Sequence, residues 1–234
     1  LPFAAGARFP GVTVSGKHLK RRQRNAAKLF KFDRECGTRF VAGCDEAGRG
    51  SLAGPLVAAA VLLDYQHLSM RDRRALGQLD DSKKRTVEER EILYPAVLRA
   101  ASRVAVTVRC VAGIDSRGLH VTNLQALAHS LERVHVPGAS CLVDGFPLGA
   151  RCRVEHRPVV DGDARSAAIA AASVIAKVTR DRYMCRVAPE YPAFGFDGNA
   201  GYSTPEHRAA IRLHGPSDLH RRSFQSVAYT QLAL

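Results

Sequence analysis

The sequence predicts one α/β domain organised on a mixed β-sheet. Three observations carry the prediction. Strand-like and helix-like segments alternate along the chain after a strand-rich start, the order expected of helices laid against a sheet. Apolar residues make up 46% of the 234 positions, enough for a packed core. The length suits one domain, or one domain with an extension, and no internal repeat divides it.

Residues 1–34 stand apart from the rest. They hold nine basic residues (Arg8, Lys17, Lys20, Arg21, Arg22, Arg24, Lys28, Lys31 and Arg34) against one acid, Asp33, and so carry +8 of the net +13. Lys17 to Phe32 can form a basic helix with Leu19, Ala26, Leu29 and Phe30 inward. The expected division is a basic extension over 1–34 and a main domain over 35–234. The extension reads equally as a solvated, partly disordered arm or as an arm that binds phosphates without sequence preference.

The main domain opens with an apolar strand, Phe40–Cys44, and a glycine-rich turn, Ala47-Gly48-Arg49-Gly50. Leu56–Leu63 is a continuous apolar run of buried-strand length. Thr86–Ala101 is expected to be a helix, because Val87, Ile92, Leu93, Ala96, Val97 and Ala100 recur near helical spacing. Val104–Val111 alternates as a strand does, and Asn123–His135 is a helix with Leu124, Leu127, Ala128 and Leu131 on one face. Cys141–Val143 is a short strand ending at Asp144-Gly145, and Arg153–Val160 is another strand. Ala164–Arg186 is a long helix rich in alanine. Thr204–His214 is the last, opened by Thr204-Pro205-Glu206 and closed by Gly215.

A pI of about 10.0 favours polyanionic partners. No apolar run approaches the roughly 18 residues that span a bilayer. The N-terminal residues show no hydrophobic signal region with a small-residue cleavage site, so a soluble, cytoplasmic protein is expected. The six cysteines form no C-x-x-C pair; Cys44, Cys110 and Cys141 read as small buried hydrophobes in strands, and a zinc site is not expected.

Four carboxylates stand at element ends: Asp45 and Glu46 after the first strand, Asp144 after Val143, and Asp163 before the long helix. Asp163 is also well placed as an N-cap and Asp144-Gly145 as a turn. Asp80, Asp81 and Asp161 look similar and rank second. Adjacent acids where a strand ends are costly unless a cation, a basic side chain or water neutralises them. Neighbouring strand residues point to opposite faces, so Asp45 and Glu46 share a site only if the chain bends there. Several carboxylates on a basic protein suit two-metal phosphodiester hydrolysis, in which two hard cations roughly 4 Å apart activate water and stabilise the leaving oxygen. Oxygen donors favour Mg2+ or Mn2+. No G-x-x-x-x-G-K-[ST] string is present, which argues against a nucleoside-triphosphate enzyme.

An ordered series of motifs resembles ribonuclease HII, the type 2 ribonuclease H family. It begins with Gly43-Cys44-Asp45-Glu46-Ala47-Gly48-Arg49-Gly50 and Leu52-Ala53-Gly54-Pro55, and continues through Asp81-Ser82-Lys83-Lys84 and Leu142-Val143-Asp144-Gly145. Gly162-Asp163, Ala170 to Val178, Arg180-Asp181, Gly201-Tyr202-Ser203-Thr204 and His220-Arg221-Arg222-Ser223-Phe224 complete it. The resemblance covers about residues 38–228. It implies a ribonuclease H-like fold, a central mixed β-sheet flanked by helices, with a helical C-terminal part. It also implies an endonuclease for RNA/DNA hybrids and for ribonucleotide-containing duplex DNA, cutting 5′ of the ribonucleotide to leave 3′-hydroxyl and 5′-phosphate ends. Asp45, Glu46, Asp144 and Asp163 map onto the family's metal-binding catalytic acids. Gly48, Arg49 and Gly50 map onto the loop that senses the 2′-hydroxyl, Tyr202 onto the tyrosine that packs on the next sugar, and Lys83 onto a phosphate contact. Ser173 and Lys177 fall in a matching motif on the substrate side. A monomer is expected, with a sliding clamp as a possible partner class. The alternatives are a catalytically silent nucleic-acid-binding module, with the acids as caps and turns, and another nuclease or transposase of similar fold.

Overall fold

A five-stranded mixed sheet runs through the middle of the protein. The structure, a computed structural model, describes residues 16–77, 79 and 86–224. The strands are β1 (Phe40–Ala47), β2 (Leu56–Asp64), β3 (Arg103–Arg109), β4 (Ser140–Asp144) and β5 (Arg157–Val159). Their spatial order is β3-β2-β1-β4-β5. β3, β2 and β1 pair antiparallel, whereas β4 and β5 add in parallel on the other side of β1. The helices are α1 (Gly16–Arg34), α2 (Met70–Ala75), α3 (Val87–Ala100), α4 (Val111–Arg117), α5 (Leu119–Val134), α6 (Ala167–Val187), α7 (Phe196–Asn199) and α8 (Pro205–His214).

The pleat sorts the core into two layers. Val41, Val57, Ala59, Val61 and Leu63 face a cluster formed with α1, α3 and α6, while Ala42, Cys44, Leu56, Ala58, Ala60 and Leu62 face α5. This is why β2 reads as an unbroken apolar run: all nine of its residues are buried. A third cluster, Leu52, Ala53, Met184, Phe194, Phe196 and Ile211, gathers the C-terminal helical part against the end of α6. Gly43 permits the closest approach of sheet and helix, since a Cβ there would meet the Ile169 amide nitrogen at 2.2 Å.

Several boundaries differ from the sequence reading. β1 does not end at Cys44 but runs to Ala47, because its ladder with β2 continues through Asp45↔Ala59, Glu46↔Ala58 and Ala47↔Val57. β3 stops at Arg109, where its partner β2 begins at Leu56, and Val111 starts α4 instead. Cys110 therefore sits exposed at the start of that helix rather than buried in a strand; Cys44 and Cys141 are buried. α5 begins at Leu119, directly after Gly118. The strand expected over Arg153–Val160 shrinks to Arg157–Val159, the stretch that finds partners on β4. In α3, Leu93, Ala96 and Val97 are buried, but Val87 and Ile92 are exposed.

The helix at the N-terminal side is part of the packing from Ala26 onward. Ala26, Leu29 and Phe30 are buried in the core. Asp33 is fully buried and accepts from the Ala168 amide (2.9 Å) and the Tyr65 hydroxyl (2.7 Å), so α1 reaches the first turn of α6. No helix among the described residues is long and apolar enough to cross a membrane.

Candidate active site

The pairing of β1 with β4 ends at Cys44↔Val143, one residue before Asp45 and Asp144. Two parallel strands thus part where each presents a carboxylate, at their carboxyl ends, the usual place for a site in such sheets. The residues opposite Asp45 and Glu46 on β2 are alanines, small enough to leave room beside them. A cavity of about 350 Å³ opens there, lined by Asp45, Glu46, Gly48, Arg49, Gly50, Asp144, Ser173, Lys177 and Tyr202 among others. Asp45 and Glu46 share this cavity although the strand is regular through both.

Asp45 is buried, and its Oδ1 accepts from the Glu46 amide at 2.7 Å. Burial, followed by the charges of Glu46 and Asp144, holds its carboxyl well above the usual carboxylate range, against an opposing hydrogen bond from Ser173. Asp144 Oδ1 accepts from the Gly162 amide at 2.7 Å, which ties the next turn to β4. Asp163 follows Gly162 on that turn, buried, but outside the cavity lining. It does not cap the long helix. Ser166 does so, accepting from the Ile169 amide at 3.2 Å.

Ser173, Lys177 and Arg180 follow one another at helical spacing along α6. Lys177 Nζ contacts Asp181 Oδ1 at 2.8 Å and lies 4.7 Å from the Tyr202 ring centre. Arg49 stacks its guanidinium 4.9 Å from the Phe146 ring centre and lies 3.8 Å from Glu46 Oε1. Gly48 has φ +89° and packs so tightly that a Cβ would meet Arg180 Nε at 2.1 Å; Gly50 faces open space. The tightness at Gly48 is therefore internal. Lys83, with Asp80, Asp81 and Lys84, lies outside the described residues. Asp161 is exposed.

Tyr202 is held from behind by two buried histidines. The Ser217 amide donates to His220 Nδ1 (2.9 Å), so neutral His220 carries its proton on Nε2 and donates to His207 Nε2 (3.0 Å). His207 Nδ1 then donates to the Tyr202 carbonyl (2.8 Å). Burial lowers the pKa of both, that of His220 to about 4. Sequence reasoning overlooks His207 and Phe146, whereas His220, Arg180 and Arg221 stand in the quoted motifs without the contacts seen here.

Carboxylate oxygens that repel one another across a shared gap are donors suited to a hard divalent cation. Among the described residues, no three His, Cys, Asp or Glu side chains are already drawn together as a ligand shell. The donor chemistry fits such an ion, and closing the shell requires side-chain movement.

The family model for ribonuclease HII matches residues 42–227. Ribonuclease HII of Geobacillus kaustophilus (strain HTA426) is 43% identical over 86% of this chain and 75% of its own length. Among solved structures, the ribonuclease H2 from Pyrococcus horikoshii OT3 is similar with a TM-score of 0.68 and 26% identity, over 83% of this chain and 98% of that one. A chain in the PCNA:RNase HII complex from Archaeoglobus fulgidus gives 0.66 and 28%, over 80% and 95%.

Proposed function

The chain belongs to the ribonuclease HII family and is a type HII ribonuclease H acting on RNA/DNA hybrids; on that premise, we propose that it also cuts duplex DNA 5′ of a single embedded ribonucleotide, leaving 3′-hydroxyl and 5′-phosphate ends. The observation that carries the proposal is that one cavity is lined by Asp45, Glu46 and Asp144 and also by the Gly48–Gly50 loop and Tyr202. A cleavage centre and a reader of one sugar would then be the same site.

In this reading Asp45, Glu46 and Asp144 hold two divalent ions, Mg2+ or Mn2+, with Asp163 joining from the adjacent turn. Bound there, the ions would supply an activated water and charge balance for the departing oxygen. Ser173 holds Asp45 in place through its hydroxyl. The backbone of Gly48, Arg49 and Gly50 offers N–H and C=O groups to a 2′-hydroxyl, the donor and acceptor that distinguishes RNA from DNA. Tyr202, backed by Lys177, packs on the following sugar and favours one lacking that hydroxyl. Lys83 contributes a phosphate contact. The protein works as a monomer, and a sliding clamp is the partner class suggested by the archaeal complex.

A duplex with one ribonucleotide, incubated with Mg2+ or Mn2+ beside an all-DNA control, tests the proposal. The expected result is one cut 5′ of the ribonucleotide, a 3′ end that a DNA polymerase extends, and a 5′ end that carries the phosphate. Asp45→Asn and Asp144→Asn should each lower the rate by a factor of about 10³ or more while leaving duplex binding largely intact. Equal cutting of the all-DNA duplex would overturn the proposal.

A further inference from the structure

The glycine loop and Tyr202 lie some 150 positions apart in the chain, yet a reader of one sugar needs a fixed gap between them. The backbone supplies part of the connection: the Leu52 and Ala53 amides donate to the Gly201 carbonyl at 2.9 and 3.2 Å. The rest comes from two arginines with no exposed surface, Arg180 on α6 and Arg221 near the C-terminal end. Arg180 donates from Nε to the Pro55 carbonyl (2.9 Å), from Nη1 to Ala200 (2.8 Å) and from Nη2 to Ala53 (2.9 Å). Arg221 donates from Nε to Gly54 (3.1 Å), from Nη1 to Arg49 (3.2 Å), and from Nη2 to Gly54 (2.9 Å) and Pro55 (3.1 Å).

All seven hydrogen bonds end on main-chain carbonyls. Among the described residues neither arginine has a carboxylate within ion-pair distance. Such an arrangement is costly, because buried charges ordinarily need a counter-charge. Burial, and then the charge of Arg180, lowers the Arg221 pKa to about 9. A guanidinium is the one side chain with donors enough, in a rigid plane, to hold several carbonyls at once. The two sides of the site meet on this pair. Arg180 holds the Ala200 carbonyl and lies 5.1 Å from the Tyr202 ring centre, while Arg221 holds the carbonyl of Arg49. Neighbouring glycines are closed against the same framework. A Cβ on Gly48 would strike Arg180, and one on Gly201 would come within 2.4 Å of the Ala53 carbonyl oxygen.

We propose that Arg180 and Arg221 are positioning residues that set the gap between the Gly48–Gly50 loop and Tyr202, and through it the preference for a ribonucleotide followed by a deoxynucleotide. This rests on the function proposed for the site. Lysine keeps the charge at either position but has a single nitrogen and cannot span the carbonyls.

The test compares kcat/KM on two substrates, a duplex with one ribonucleotide and a continuous RNA/DNA hybrid, each measured well below the Tm of the variant used. For Arg180→Lys and Arg221→Lys the ratio of single-ribonucleotide to hybrid cleavage should fall by about tenfold or more, since a misplacement of about 1 Å can cost a hundredfold. Gly201→Ala pushes on the same framework from the Tyr202 side and should move the ratio the same way. It carries the test if a lysine variant does not fold. Equal losses on both substrates, with the ratio unchanged, would mean that the arginines serve stability alone and would overturn the inference. A wild-type enzyme that ignores single ribonucleotides would instead overturn the functional reading beneath it.

Discussion

Asp45 shows how one residue can serve chemistry at the expense of stability. It is buried beside two other carboxylates, and its charged form is disfavoured first by desolvation and then by Glu46 and Asp144. Removing that charge relieves the cost, whereas a divalent cation offsets it without removing the charge. Without divalent ions, Asp45→Asn should therefore raise Tm by about 3–6 °C, equivalent to about 1–2 kcal/mol in a protein of this size. Adding Mg2+ or Mn2+ should raise the wild-type Tm, because ligands that bind only the folded state stabilise it, and should raise that of the variant less. Thermal melts with chelator and with each ion check both effects. A variant that melts below the wild type in chelator would show that the carboxylates are not in conflict. Asp163 shows the limit of sequence reading at this scale. Its place before a helix is legible as a cap, yet Ser166 has that role, and only the fold distinguishes two polar residues three positions apart.

At the scale of elements, the joint between α1 and α6 has a definite pH signature. Asp33 closes the first turn of α6, and burial raises its pKa from 3.8 to about 6 despite hydrogen bonds from Ser166, Tyr65 and Ala168. A raised acid binds more protons in the folded than in the unfolded state between those two values. Its contribution to stability is thus greatest at low pH and declines as pH rises through about 6, by about 3 kcal/mol in all. His220 acts in the opposite sense: its pKa is lowered from 6.5 to about 4, so its neutral buried form loses stability as pH falls through that window. Asp33→Asn removes the first effect and leaves the second. The Tm of the wild type minus that of Asp33→Asn should increase steadily from about pH 6.5 to pH 4. A difference independent of pH would show that Asp33 is not buried as described. Strands and helices with strong patterning are legible in the sequence: β2 as an apolar run, and α5 through Leu124, Leu127, Ala128 and Leu131, all buried. Boundaries set by a partner are not. β1 runs through its acids because β2 continues beside it, and β5 is confined to the three residues that pair with Leu142, Val143 and Asp144 of β4. The same holds for the site. Its acids and glycines are legible where they interrupt apolar segments, but Arg221 and His207 act through contacts that no local pattern encodes.

Charge and packing divide the whole molecule at different places along the chain. By charge, the basic segment extends to Arg34. By packing, α1 belongs to the core from Ala26 onward, through Ala26, Leu29 and Phe30 and the buried Asp33. Two truncations separate these descriptions. Deleting residues 1–24 removes six of the nine basic side chains of the segment and lowers the net charge from +13 to +7. If the arm meets phosphates, duplex affinity should fall at low salt, and the slope of log K against log salt should become shallower by about 0.9 for each phosphate the arm had neutralised. Tm and the cleavage rate at saturation should stay as they were. Deleting residues 1–34 also removes Leu29 and Phe30, each contributing about 1.5–3 kcal/mol by burial, and takes Asp33 from the first turn of α6. Tm should then drop by about 10 °C or more. Salt titrations of binding and thermal melts of both truncations give the answer. A loss of stability already on deleting 1–24 would extend the folded unit to the start of α1, and no loss on deleting 1–34 would remove the helix from the domain altogether.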